Sequence, residues 1–140
     1  MFWIHPIWQV TTIFFALYVF SLGWTRFSAT TLGHTQPFQW KRHVALGKAA
    51  IYMWLYGALV GASAAWVSWH TLGVTGIHFK LGMLIVFLSI FGYWSGLHMD
   101  NHKKQRKVLP ILHGVGNLVL LLCALFSINT GIRVILLLLK

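Results

Sequence analysis

Residues 77–99 read IHFKLGMLIVFLSIFGYWSGLHM, an apolar run with a single charge, Lys80, and no carboxylate. A helix needs about 20 consecutive apolar residues to cross a bilayer, and this stretch supplies them. It also opens on a histidine, His78. Three further stretches repeat both properties: residues 5–27 begin at His5, residues 43–69 begin at His43, and residues 110–132 carry His113 in their first turn. Four such segments joined by short connections predict an all-α membrane protein. The expected architecture is a four-transmembrane-helix up-down bundle forming one domain over residues 1–140.

Composition agrees with that class. The 140-residue chain is 58% hydrophobic with a mean hydropathy of +0.73, far more apolar than a soluble domain of this size. Its formal charge of +10 would point a soluble protein toward nucleic acid, but position argues otherwise. Arg26, Lys41 and Arg42 flank the first connection and Lys103, Lys104, Arg106 and Lys107 fill the third, whereas the second, residues 70–77, holds no Lys or Arg. Alternating helices put both basic connections on one side. The positive-inside rule then assigns that side to the cytoplasm and both termini to the opposite side, with a prokaryotic inner (plasma) membrane as the expected location. Trp3, Trp8, Trp24, Trp66 and Trp69 at segment ends fit interfacial aromatic belts. The first segment is not expected to be a cleaved signal, since no basic n-region precedes it and no small-residue cleavage site follows. Cys123 is the single cysteine, which excludes a disulfide framework and covalent haem attachment through a C-x-x-C-H motif.

Punctuation along the chain sets the expected boundaries. His5-Pro6 opens the first helix, where a missing N–H costs nothing. Residues 28–40, with Gly33 and Pro37, read as a loop, Gly73 and Gly76 as a short turn, residues 100–109 as a basic loop, and Pro110 as the start of the last helix. Asn129-Thr130-Gly131 offers a break, after which residues 132–140 are expected to lie in the interface or pack on a partner.

In antiparallel helices the starts of the first and third share one depth, and those of the second and fourth share the other. His5 then pairs with His78, and His43 with His113. Neutral imidazole is a good axial ligand for haem iron, and two histidines from facing helices can clamp one haem in a bundle core. The pattern points to two b-type haems stacked along the membrane normal. Gly47, Gly82 and Gly116 follow His43, His78 and His113 by three or four residues on the same helix face, leaving a side-chain-free patch beside each ring. His5 is followed instead by Trp8 and Gln9. The competing reading makes the four histidines interfacial and haem-free, with glycines such as Gly57-x-x-x-Gly61 and Gly92-x-x-x-Gly96 serving helix contact. Arg42 and Lys48 flank His43 and can pair with haem propionates. His98 and His102, four residues apart, share a face and suit a solvated or propionate-contacting role better than a zinc site, which takes three or more protein ligands. His34 and His70 fall in loops.

These residues resemble the cytochrome b561 superfamily. His5-Pro6 resembles the family's His-Pro at its first core helix, and Lys41-Arg42-His43 its basic residues before the second histidine. Ile77-His78-Phe79 with Gly82 is similar to the third, and Pro110-Ile111-Leu112-His113-Gly114 with Gly116 to the fourth. Leu22-Gly23-Trp24 resembles the corresponding end of small bacterial relatives. The resemblance covers most of the chain and implies electron transfer across the membrane by two haems b held by the four histidines. Larger members have six helices where this chain has four, and no ascorbate-site pattern is present, so ascorbate is not carried over. The expected role is a di-haem electron carrier, as a membrane subunit working with other redox subunits and possible quinone contact. A haem-free scaffold, and a quinol-oxidising or ferric-reducing enzyme in its own right, stand as alternatives.

Overall fold

The computed structural model describes residues 3–33 and 37–138. Four long helices account for nearly all of them: α1 (Ile4–Thr31), α2 (Trp40–Trp69), α3 (Ile77–Asn101) and α4 (Val108–Leu138), with one 3-10 turn at Gly73–Thr75. All four are long and apolar enough to cross a membrane. At 1.5 Å per residue they run about 38–46 Å, longer than a hydrocarbon core of about 30 Å, so their ends reach the headgroup layers. Each helix packs on its chain neighbours and α4 closes the ring against α1. This is the up-down bundle expected from the sequence: a multi-pass membrane fold with both basic connections at one end and the α2–α3 turn at the other.

Side-chain sorting is that of a lipid-soluble body. Phe14, Leu59, Phe87 and Leu137 are among many large apolar side chains facing outward. The packed centre is small: Ile13, Ala16, Trp54, Ile85, Leu120, Leu121 and Ala124 form one cluster. It lies midway along all four helices, between the two levels at which the histidines sit. Hydroxyls inside the bundle mostly return their hydrogen to their own helix, as Thr12 does to the Trp8 carbonyl at 2.8 Å.

Several boundaries differ from the sequence reading. Helix α1 continues past residue 27 to Thr31, with Ser28 bonding back to the Thr25 carbonyl, so the first loop is shorter than residues 28–40. Helix α3 runs on to Asn101. Helix α4 starts at Val108, which places Pro110 within the first turn, where N–H groups have no helical partner. It then passes unbroken through Asn129-Thr130-Gly131, where the His78 ring of α3 meets Thr130 and Gly131.

The turn between α2 and α3 uses two left-handed residues. His70 caps α2 at φ 52°, and Gly76 enters α3 at φ 58°, ψ −115°, a conformation that excludes side chains. His34 lies outside the described residues.

Candidate functional site

The bundle brings the four segment-opening histidines together in two pairs. The His5 and His78 rings have centroids 6.1 Å apart and planes 88° apart; those of His43 and His113 are 6.4 Å apart at 77°. These are the pairings that helix alternation requires. The spacing has a chemical meaning. A metal–imidazole nitrogen bond is about 2.0–2.1 Å and the ring centre lies about 1.2 Å behind the nitrogen, so two imidazoles on one metal atom stand about 6.4 Å apart, centre to centre.

Nδ1 of every ring is already engaged. His5 Nδ1 donates to the Gly57 carbonyl at 2.9 Å and His43 Nδ1 to the Val19 carbonyl at 3.2 Å. A carbonyl only accepts, which fixes both imidazoles as Nδ1–H tautomers. His78 Nδ1 meets Thr130 Oγ1 at 3.0 Å and His113 Nδ1 meets Ser95 Oγ at 2.8 Å. Thr130 Oγ1 also lies 3.1 Å from the Ser127 carbonyl and Ser95 Oγ 2.7 Å from that of Phe91; a hydroxyl that gives its hydrogen to that carbonyl accepts from Nδ1–H. His5 and His43 are thereby held with Nε2 as the lone-pair nitrogen, the state a metal-ligating histidine needs, and the hydroxyl partners of His78 and His113 are compatible with the same state.

The contact that seats each ring is a glycine on the neighbouring helix. A Cβ added at Gly61 would lie 2.6 Å from His5 Cε1, at Gly23 3.0 Å from His43 Cε1, at Gly131 3.2 Å from His78 Cε1, and at Gly96 3.3 Å from His113 Cε1. The arrangement is reciprocal within each hairpin: α1 gives its histidine to α2 and receives that of α2, and α3 and α4 do the same. Its sequence signature is regular. His5 to Gly23, His43 to Gly61, His78 to Gly96 and His113 to Gly131 are each eighteen residues, five full turns of 3.6, so histidine and glycine share one helix face about 27 Å apart. The acceptors follow the same frame. In the first hairpin, the carbonyl four residues before the glycine is used; in the second, it is the hydroxyl immediately before the glycine.

The glycines three or four residues after His43, His78 and His113 behave differently. Gly82 has no protein atom within 4 Å of an added Cβ, and Gly47 has only Val19 Cγ1 at 3.9 Å, whereas Gly116 seats the Phe91 ring at 3.3 Å. Gly57 and Gly92, the first members of the two G-x-x-x-G pairs, admit polar side chains, Gln9 and Asn117. Gln9 is one turn on from His5, and its Oε1 is buried without a hydrogen-bond partner.

Of the flanking cations, Arg42 bonds Gln39 at 3.3 Å and lies over the Tyr18 ring, while Lys48 lines a cleft with Trp40, Lys41, Val44, Ala45 and Asp100. Arg26 lies on the side of the second pair: it sits 5.5 Å from the Phe38 ring, which in turn lies 5.5 Å from that of His43. His98 and His102 stack at 4.6 Å, continuing a ladder from Trp94 at 5.7 Å, and take no part in either pair. Asp100 pairs with Lys103 at 2.8 Å, and Lys103 covers the Trp40 ring at 3.5 Å, tying the end of α3 to the start of α2. Among the described residues no three His, Cys, Asp or Glu side chains converge, and each histidine pair offers two imidazoles. No protein-family model, curated protein or solved structure matches the chain.

Proposed function

We propose that the protein is a minimal di-haem cytochrome, similar to the cytochrome b561 superfamily, that carries electrons between the two faces of a membrane. The observation that carries this reading is the pair of imidazole couples at opposite ends of one bundle, each at the spacing of two ligands on one iron. A site with only two protein ligands suits a metal that brings its own four nitrogens, as haem does. His5 and His78 hold one haem b and His43 and His113 the other. A bound haem supplies a one-electron ferric/ferrous couple.

The protein's own contribution is to bind, orient and keep dry. The Nδ1 bonds lock the rings and raise their basicity as ligands. The interhelical glycines let the Cε1 edge of each ring approach the neighbouring backbone, and Gly47 and Gly82 leave open space beside their helix faces. The cluster around Trp54, Ile85 and Leu120 excludes water between the two levels. Arg26 is placed to neutralise propionates of the haem on His43 and His113. In the haem-free alternative the Nδ1 of all four rings is engaged while no described residue bonds their Nε2.

The surplus of cations on the α1–α2 and α3–α4 connections supports a cytoplasmic position for that end, both termini on the far side, and residence in a prokaryotic plasma membrane. Its small loops support a role as membrane subunit beside other redox subunits. The test is the optical and EPR spectrum of the purified chain. Near-perpendicular imidazole planes give strongly anisotropic low-spin ferric signals, and two of them are expected; a colourless chain after expression with haem available refutes the reading.

A further inference from the structure

Lys48 is a cation placed well inside a helix that crosses the membrane. The two histidine levels stand about 27 Å apart, close to the roughly 30 Å of a hydrocarbon core, so His43 marks one boundary and the Lys48 α-carbon lies about 7.5 Å further in. Helical side chains lean toward the helix N-terminus, which for α2 is the basic end, so the four-carbon arm returns its ammonium toward that boundary. There Lys48 lines a cleft of about 330 Å³ with Trp40, Lys41, Val44, Ala45 and Asp100. None of the four paired histidines borders it. At about 100° per residue, Lys48 is turned about 140° around α2 from His43 and Lys41 about 160°, so both lysines face away from the imidazole pair.

Lys41, Val44, Ala45 and Lys48 follow the i, i+3, i+4, i+7 spacing of one helix face, with the two lysines about 10.5 Å apart along the axis. The carboxylate in the cleft is already engaged. Asp100 pairs with Lys103 at 2.8 Å, the one ion pair among the described residues, and the Lys103 ammonium also lies 3.5 Å from the centre of the Trp40 ring. Lys41 and Lys48 are left as two cations with no carboxylate at ion-pair distance among the described residues, on an apolar shelf of Val44 and Ala45 beside an interfacial indole. An ammonium at the edge of hydrocarbon needs an anion more than one in water does, and the anion a bilayer supplies at that depth is a phospholipid phosphate. A zwitterionic head group brings its own ammonium, which offsets the attraction.

We propose that the cleft between the start of α2 and the end of α3 is a site for one anionic phospholipid, with its phosphate on the Lys48 ammonium, its head group extending toward Lys41, and its glycerol and upper acyl carbons on Val44 and Ala45. Phosphatidylglycerol has the required net charge. The lipid supplies the counter-ion that the protein withholds from Lys48 and fastens this corner of the bundle at the membrane boundary. The site is built from residues outside both imidazole pairs, so it stands or falls independently of the haem reading.

The test is native mass spectrometry of the full chain released from micelles holding equal amounts of phosphatidylglycerol and phosphatidylcholine, with thermal unfolding of each variant in the same detergent. One phosphatidylglycerol retained per chain in preference to phosphatidylcholine is expected. Lys48→Gln should weaken that retention about ten-fold, the loss of one charge-assisted hydrogen bond. Ala45→Trp fills the shelf without altering any charge and should block it, which keeps the test decisive if Lys48→Gln does not fold. Lys104→Gln removes a cation at the same end of the bundle but outside the cleft, and should leave retention intact. Phosphatidylglycerol should raise the unfolding temperature of the parent and of Lys104→Gln, and not that of Ala45→Trp. Equal retention of the two lipids overturns the proposal, as does an equal loss in Lys104→Gln and Lys48→Gln, which would show that the general positive field holds the lipid. Displacement by millimolar inorganic phosphate also overturns it, since the cleft would then be a site for free anions.

Discussion

Replacing Gly61 by alanine puts one methyl group where the structure has the His5 ring. The added Cβ would be 2.6 Å from Cε1 and 2.8 Å from Nδ1. Carbon atoms pack at about 3.5–4.0 Å, so the ring has to retreat by about 1 Å. Overpacking of this kind costs about 1–3 kcal/mol, and loss of the Nδ1–H bond to the Gly57 carbonyl about 0.5–1.5 kcal/mol more. A metal–nitrogen bond of about 2.0–2.1 Å does not stretch by a further 1 Å, so His5 ceases to be a ligand. Gly61→Ala should therefore lose half of the bound haem, with the other haem's spectrum unchanged. Gly114→Ala is the matched control: it follows His113 directly, has no atom within 4 Å of its added Cβ, and should gain about 0.5–1 kcal/mol from helix propensity with haem retained. The assays are haem per chain and thermal unfolding in detergent. If Gly61→Ala keeps full haem and the stability of the control, the cross-helix seat for His5 is wrong.

The remaining expectations concern the second hairpin, the stacked histidines and orientation. Ser95→Ala removes the acceptor for His113 Nδ1; a less basic ligand stabilises ferric iron less, so the midpoint potential of that haem should rise while the other stays fixed, as read by redox titration. Thr130→Val should do the same to the other haem. His98→Ala and His102→Ala should leave haem content unchanged, since neither ring contacts an imidazole pair, and haem loss in either would draw that stack into the site. In whole cells carrying Cys123→Ser, Val74→Cys should react with an impermeant maleimide and Lys104→Cys should not; the reverse would invert the proposed orientation.

Much of this was legible in the sequence, and the reason is topological. Segment length and the absence of carboxylates require four crossings, and alternation then pairs His5 with His78 and His43 with His113 without further information. The basic residues of the two connections share an end of the bundle for the same reason. What local pattern does not carry is the surrounding of each ring, because it is built across helices. Gly47, Gly82 and Gly116 are close in sequence to their histidines, yet the rings rest on Gly23, Gly61, Gly96 and Gly131. The eighteen-residue interval marks those glycines, but it has meaning only once two helices are known to lie antiparallel and level. His5 lacks a nearby glycine on α1 and nevertheless has the closest seat of the four, supplied by α2. The carbonyls of Val19 and Gly57 leave no trace in side-chain chemistry. The contact of His78 with Thr130 and Gly131 likewise crosses from α3 to α4, which no reading of residues 129–131 alone contains.

The central claim is best tested by counting haem in the purified chain, by pyridine haemochrome per protein, in the parent and in four single histidine-to-alanine variants. Two haems b are expected in the parent and one in each variant, with His5→Ala and His78→Ala losing the same spectral component and His43→Ala and His113→Ala the other. A parent without haem, or variants whose losses pair in any other way, would contradict it.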